Sequence, residues 1–142
     1  PTEYQQLSWQ LQKRIIISQY KFALILESII EVDHVSEQMY DAIHSGSVPV
    51  VFGAPNIRDF APADGTFINA ADFHNTKDLV DFLKKLSANM YEYEGYLNRW
   101  KVKGVSRNFE KLVGTTSNVH VACRVCRALN EMQKQDVQTM MW

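Results

Sequence analysis

YKFALILESIIEVDHVSEQMYDAIHSGSVPVVFG, residues 20 to 53, decides the fold. Phe22 to Leu26 is a short apolar run between polar residues, the pattern of a strand buried on both faces. Glu27, Ser28 and a loop carrying Glu31 and Asp33 come next. Val35, Met39, Ala42 and Ile43 recur at helical spacing, which predicts an amphipathic helix that begins between Asp33 and Ser36 and stops at Gly46. Val48 to Phe52 is a second apolar run, closed by Gly53. Strand, helix and strand at this spacing form a βαβ unit, so the strands are parallel and the crossover right-handed. Ligands of open parallel sheets bind beyond the carboxyl ends of the strands, here Glu27-Ser28 and Gly53-Ala54. The predicted helix start lies at the same edge, where free N–H groups suit an anion.

Working outward, Tyr4 to Ser18 reads as a helix with Leu7, Leu11 and Ile15 on one face, although Arg14 to Ser18 reads equally as a short strand. Downstream, Pro55-Asn56 is a turn, Ile57 to Phe60 a single helical turn, and Thr66 to Asn69 a third short strand. Asn75 or Thr76 caps a helix whose buried stripe is Leu79, Val80, Leu83 and Leu86. Asn89 with Glu92 starts another, with Met90, Tyr93, Leu97 and Trp100 on its apolar face. Gly104 to Ser106 separates it from Asn108 to Val113, Gly114 to Ser117 is a break, and a last helix carries Val119, Ala122, Cys126, Leu129 and Met132. The fold class is therefore α/β: a parallel-sheet lobe over residues 1–104, followed by a helical extension of the same domain over 105–142. Three strands are few for a doubly wound sheet, which implies further strands upstream.

The 142 residues suffice for one domain with a real core. A net charge of −1, from 15 basic and 16 acidic residues, gives no pull toward nucleic acid or membrane surfaces. Lys84-Lys85 and Arg99-Trp100-Lys101 read as solvated faces. No apolar run has the length of a transmembrane span. Pro1 in place of Met reads as the mark of a cut or processed chain.

The residues from Tyr20 onward resemble the donor-binding signature of the GDP-fucose-using α1,3-fucosyltransferases. That family shows Tyr-Lys-Phe, an apolar run, Glu-Asn-Ser/Thr, a spacer, Asp-Tyr-Val-Thr-Glu-Lys, a small-residue helix and Val-Pro-Val. This chain has Tyr20-Lys21-Phe22, Glu27-Ser28-Ile29, Asp33-His34-Val35-Ser36-Glu37-Gln38 and Val48-Pro49-Val50 at the same spacings. The similarity runs on through GAPNIRDFAP, Gly53 to Pro62, to the Cys123-x-x-Cys126 pair, and its wording is most like the plant-type enzymes that act on the N-glycan core. The resemblance implies the Rossmann-like C-terminal lobe of a GT-B glycosyltransferase, with inverting transfer of fucose from GDP-fucose in α1,3 linkage to GlcNAc of a glycoprotein N-glycan. It implies donor contacts at Ser28, His34, Ser36, Glu37 and Gln38, with Glu37 on the ribose, and no required metal or cofactor. It places the catalytic base and a phosphate-binding Arg in an upstream half, which Arg14 does not replace, so this chain by itself is expected to be inactive. Full-length relatives carry an anchor and stem, so the implied setting is the Golgi lumen, as a type II membrane protein.

Taken by position alone, Glu37 is an ordinary acid in the first turn of a helix and Glu27 an acid that accepts from loop amides. Three residues depart from the family pattern: Ser28 stands for Asn, His34 for Tyr, and Gln38 for the Lys that neutralises donor phosphates. They are also what would mark a degenerate sugar-nucleotide-binding lobe without catalytic activity, kept as a binding or folding module. A GT-B transferase with another sugar-nucleotide donor is the other alternative. Cys123 and Cys126 lack the preceding strand of a thioredoxin-like pair, and with His120 they supply only three of the four zinc ligands. They read as two buried thiols on a helix or, by the resemblance, as a local disulfide. Tyr93 and Trp100 read as core; Tyr91 and Tyr96 remain open as a sugar platform.

Overall fold

The computed structural model describes residues 8–117. Helix α1 (Trp9–Ile17) leads into strand β1 (Phe22–Leu26). Helix α2 (Gln38–His44) follows, then β2 (Val48–Phe52), a 3-10 turn at Ile57–Phe60, and β3 (Ile68–Asn69). A second 3-10 turn at Ala70–Asp72 precedes α3 (Thr76–Ala88), α4 (Met90–Lys103) and α5 (Arg107–Ser117). The strands form one parallel sheet in the order β1-β2-β3. Phe22 pairs with Val48, Leu26 with Phe52, and Val50 with Ile68. The expected βαβ unit and the three-stranded parallel sheet are thus present. The chain divides into two compact units, Pro1–Phe109 and Glu110–Trp142, and the described part of the second is the end of α5.

Alternation along the strands sorts the core onto two faces. Ile25 and Val51 pack with Met39 and Ala42 of α2, and with Ala54, Ile57, Ala61 and Phe67. Val48, Val50 and Ile68 point the other way, onto Leu86 of α3 and Tyr93 of α4. Tyr93 also donates its hydroxyl to Lys21 O at 2.8 Å, and its ring meets Phe22 edge-on. It is core, as expected, whereas Tyr91 is 88% exposed. Ser47, fully buried, donates to the carbonyls of Ile17 and Tyr20, which ties the end of α1 to the start of β2. Asn75 Oδ1 accepts from Asp78 N, and Asn89 Oδ1 from Glu92 N, so both predicted caps are made.

Several expectations are corrected. β1 is not buried on both faces: Leu24 and Leu26 are 67% and 72% exposed. Among the described residues β1 pairs only with β2, and α3 and α4 cover Phe22 but stop short of the two leucines. The Arg14 to Ser18 patch is helical through Ile17, not a strand. β3 is two residues, Ile68–Asn69, because Thr66 is held in a turn by its bond to Ala63 O. Gly114 does not break the chain, since α5 runs through it to Ser117; one glycine inside a helix costs only about 1 kcal/mol. The predicted last helix, with Cys123 and Cys126, lies outside the described residues.

Candidate functional site

The site is built where β1 and β2 end. Glu27 extends the ladder one residue past β1 by donating its N–H to Phe52 O at 3.0 Å. The chain then loops out through Ser28 to Glu37 before α2 begins. It does not enter the helix between Asp33 and Ser36, as the pattern predicted. Asp33 is in the left-handed region at φ 65°, and Ser36 N–H is taken by a side chain, so α2 starts at Gln38. With Glu37 as N-cap, α2 is seven residues long, and Glu37 makes no side-chain capping bond.

Two tethers hold this loop. The Glu27 carboxylate accepts from Ser36 N at 3.0 Å and from Ser36 Oγ at 2.7 Å, both on Oε1. Asp33 N donates to Asn56 Oδ1 at 3.0 Å, and Asn56 Nδ2 returns a bond to Asp33 Oδ1 at 2.8 Å. That reciprocal pair secures the strained residue, a conformation Asp tolerates better than most side chains. Both tethers involve the segment after β2, which supplies Asn56 to one and leaves room for Glu27 in the other: a Cβ on Gly53 would stand 2.6 Å from Glu27 Cγ.

A charge cluster braces the other side of the loop. Lys13 of α1 reaches Glu37 Oε1 at 3.4 Å and Asp41 Oδ2 at 2.9 Å, and Arg14 meets Asp41 Oδ1 at 2.9 Å. Asp41 is buried, and burial alone would raise its pKa. Hydrogen bonds and charge from Lys13 and Arg14 win, and hold the carboxyl below its ordinary range. The bond to Asp41, helped by Glu37, raises Lys13 above the ordinary lysine value against the effect of burial. An open hollow of ≈ 590 Å³ lies over this cluster, lined by Trp9, Arg14, Glu37, Tyr40, Asp41 and His44 among others.

Of the residues singled out in the sequence, Ser28, Glu37 and Gln38 are exposed, and His34 and Ser36 are half-buried. The structure joins Ser36 to Glu27 and Glu37 to Lys13. Among the described residues, no hydrogen bond links the side chains of Ser28, His34 and Gln38 to one another. Arg14 is engaged by Asp41. Three residues that shape the site were not given a role in it by sequence reasoning, Lys13, Asp41 and Asn56, and Gly53 was placed at the ligand edge without its part in seating Glu27. The spacing of Glu37 and Asp41, one helical turn apart, was a readable signal for a paired cation. No group of three metal-ligating side chains occurs among the described residues, and no helix there is long and apolar enough to cross a membrane.

A parallel α/β lobe with a tethered loop at its carboxyl edge is the class of fold that carries its ligands beyond the carboxyl ends of the strands. The chain belongs to glycosyltransferase family 10 (fucosyltransferase), whose C-terminal model matches residues 4–141. It is 39% identical over 110 residues to a fucosyltransferase-like protein of Arabidopsis thaliana, covering 78% of this chain and 21% of that one. It is 39% identical over 89 residues to GDP-fucose protein O-fucosyltransferase 3 of Gallus gallus, covering 63% and 18%. A crystal structure of an α1,3-fucosyltransferase with GDP-fucose superposes with a TM-score of 0.56 at 30% identity, over 60% of this chain and 25% of that one. The chain thus spans about a quarter or less of the length of these relatives. The sheet and its helices are the GT-B type of lobe found in those fucosyltransferase structures.

Proposed function

We propose that this chain is the donor lobe of an enzyme that transfers fucose from GDP-fucose. One observation carries the reading: the loop from Glu27 to Gln38 is anchored at the carboxyl edge of the sheet, with the Glu37 carboxylate 70% exposed at its end. Glu37 accepts hydrogen bonds from the ribose hydroxyls, as acidic residues do in other α/β nucleotide sites. His34 and Gln38 donate to the diphosphate, and Ser28 offers a hydroxyl nearby. Such donors, fixed before the donor arrives, stabilise the charge that develops on departing GDP. The base that deprotonates the acceptor belongs to another part of the protein. The finer reading is inverting transfer in α1,3 linkage to GlcNAc of an N-glycan, in the Golgi lumen, with no metal or cofactor. The α1,3 specificity of the structural neighbours supports it, while the protein O-fucosyltransferase relative makes a polypeptide hydroxyl the rival acceptor.

The test is calorimetry with GDP on the complete polypeptide. Gln38→Lys adds a cation where the diphosphate is placed, and a charged donor makes a markedly stronger bond than an amide. Tightening on the order of tenfold is expected. An unchanged dissociation constant refutes this placement of the phosphates. Ser28, His34 and Gln38 favour a second reading, a lobe that has lost donor binding; saturation-transfer NMR showing no contact with GDP would select it.

A further inference from the structure

We infer that Glu27 is a positioning residue: acting through Ser36, its carboxylate sets the course of the loop that presents His34, Glu37 and Gln38. This rests on the donor-site reading above and adds to it a residue that works without touching the nucleotide. The Glu27 backbone is pinned to β2 by the bond to Phe52 O, so its side chain leaves from a fixed point. Nine residues later the loop returns, and one carboxylate oxygen receives both donors of Ser36, at 3.0 and 2.7 Å. A charged acceptor bound twice is the strong form of hydrogen bond. It closes the loop just before Glu37 and Gln38, so their direction is inherited from it. Ser36 gives its N–H and its hydroxyl proton to Glu27, which makes it the loop's anchor and leaves phosphate contact to its neighbours. Gly53 leaves the room: its missing Cβ would stand 2.6 Å from Glu27 Cγ and 3.2 Å from Glu27 Cβ.

The experiment uses the complete polypeptide with GDP as the probe, reading affinity by calorimetry and the Ser36 amide by hydrogen exchange. Glu27→Ala is expected to weaken GDP roughly 10- to 100-fold, the range for losing bonds to a charged group, and to speed exchange at Ser36. Ser36→Ala should lose about fivefold, and Ser36→Thr, which keeps the hydroxyl, should bind like the native protein. Glu27→Ala with Ser36→Ala should be no worse than Glu27→Ala alone. Should Glu27→Ala fail to fold, Glu27→Gln keeps the shape, removes the charge and should lose about fivefold. Native GDP affinity together with native Ser36 exchange in the Glu27 variants overturns the inference. If the native protein itself ignores GDP, the donor reading fails instead; Ser36 exchange unchanged in Glu27→Ala would then still sink the clasp, and faster exchange would uphold it.

Discussion

Asp41→Ala is expected to destabilise the lobe by about 2–3 kcal/mol at neutral pH, the largest stability effect of any polar substitution in α2. Asp41 is only 5% exposed and is the acid that joins α1 to α2. Removing one partner of a buried pair typically costs about 3–5 kcal/mol. The lower figure applies because the orphaned cations reach water: the Arg14 side chain is 45% exposed and Lys13 21%. The same cluster fixes the pH dependence. The folded pKa of Asp41 is depressed, so its contribution is present above the ordinary value of 3.8 and is lost as pH falls through the folded value. That of Lys13 is raised, so its contribution is present below the ordinary 10.5 and is lost as pH climbs through the folded value. Urea midpoints measured from pH 5 down to pH 2 should therefore fall in the native protein, and fall less in Asp41→Asn, which starts lower. Equal acid slopes in the two would remove Asp41 from the account.

The sheet was legible because its signals are local. Apolar runs at Phe22–Leu26 and Val48–Phe52, with helical spacing between, left little choice but a parallel βαβ unit. Asn75 and Asn89 announced α3 and α4 because a capping side chain sits beside the backbone it satisfies. What could not be read was set by distance in the chain. The exposure of Leu24 and Leu26 depends on what lies beside β1, which no strand pattern encodes. The late start of α2 follows from Ser36 bonding to Glu27 and Asp33 to Asn56, contacts 9 and 23 residues apart. Lys13 and Asp41 are 28 positions apart, and only the packing of α1 on α2 brings them together. The site residues themselves were located by resemblance, since Ser28, His34 and Gln38 carry no pattern of their own.

Gly53→Val should impair GDP binding at least as much as removing Glu27, without altering any group that meets the nucleotide. Gly53 does not adopt the left-handed region, so its backbone suits any residue; the obstacle is space. A Cβ at 2.6 Å from Glu27 Cγ is closer than carbon atoms pack, and branching at Cβ adds two more atoms there. Either the Glu27 side chain swings away and releases both Ser36 bonds, or β1 and β2 part at their carboxyl ends. The first route costs donor affinity, by about tenfold or more, and little stability. The second costs roughly 1–3 kcal/mol, as overpacking does, and lowers the unfolding midpoint as well. Adding Glu27→Ala to Gly53→Val separates them. If the side chain had already been displaced, its removal relieves the crowding and affinity drops no further; if the strands had parted, the truncation lets them close and stability recovers. Gly53→Val binding GDP with native affinity and a native midpoint would show that the glycine has no part in seating Glu27.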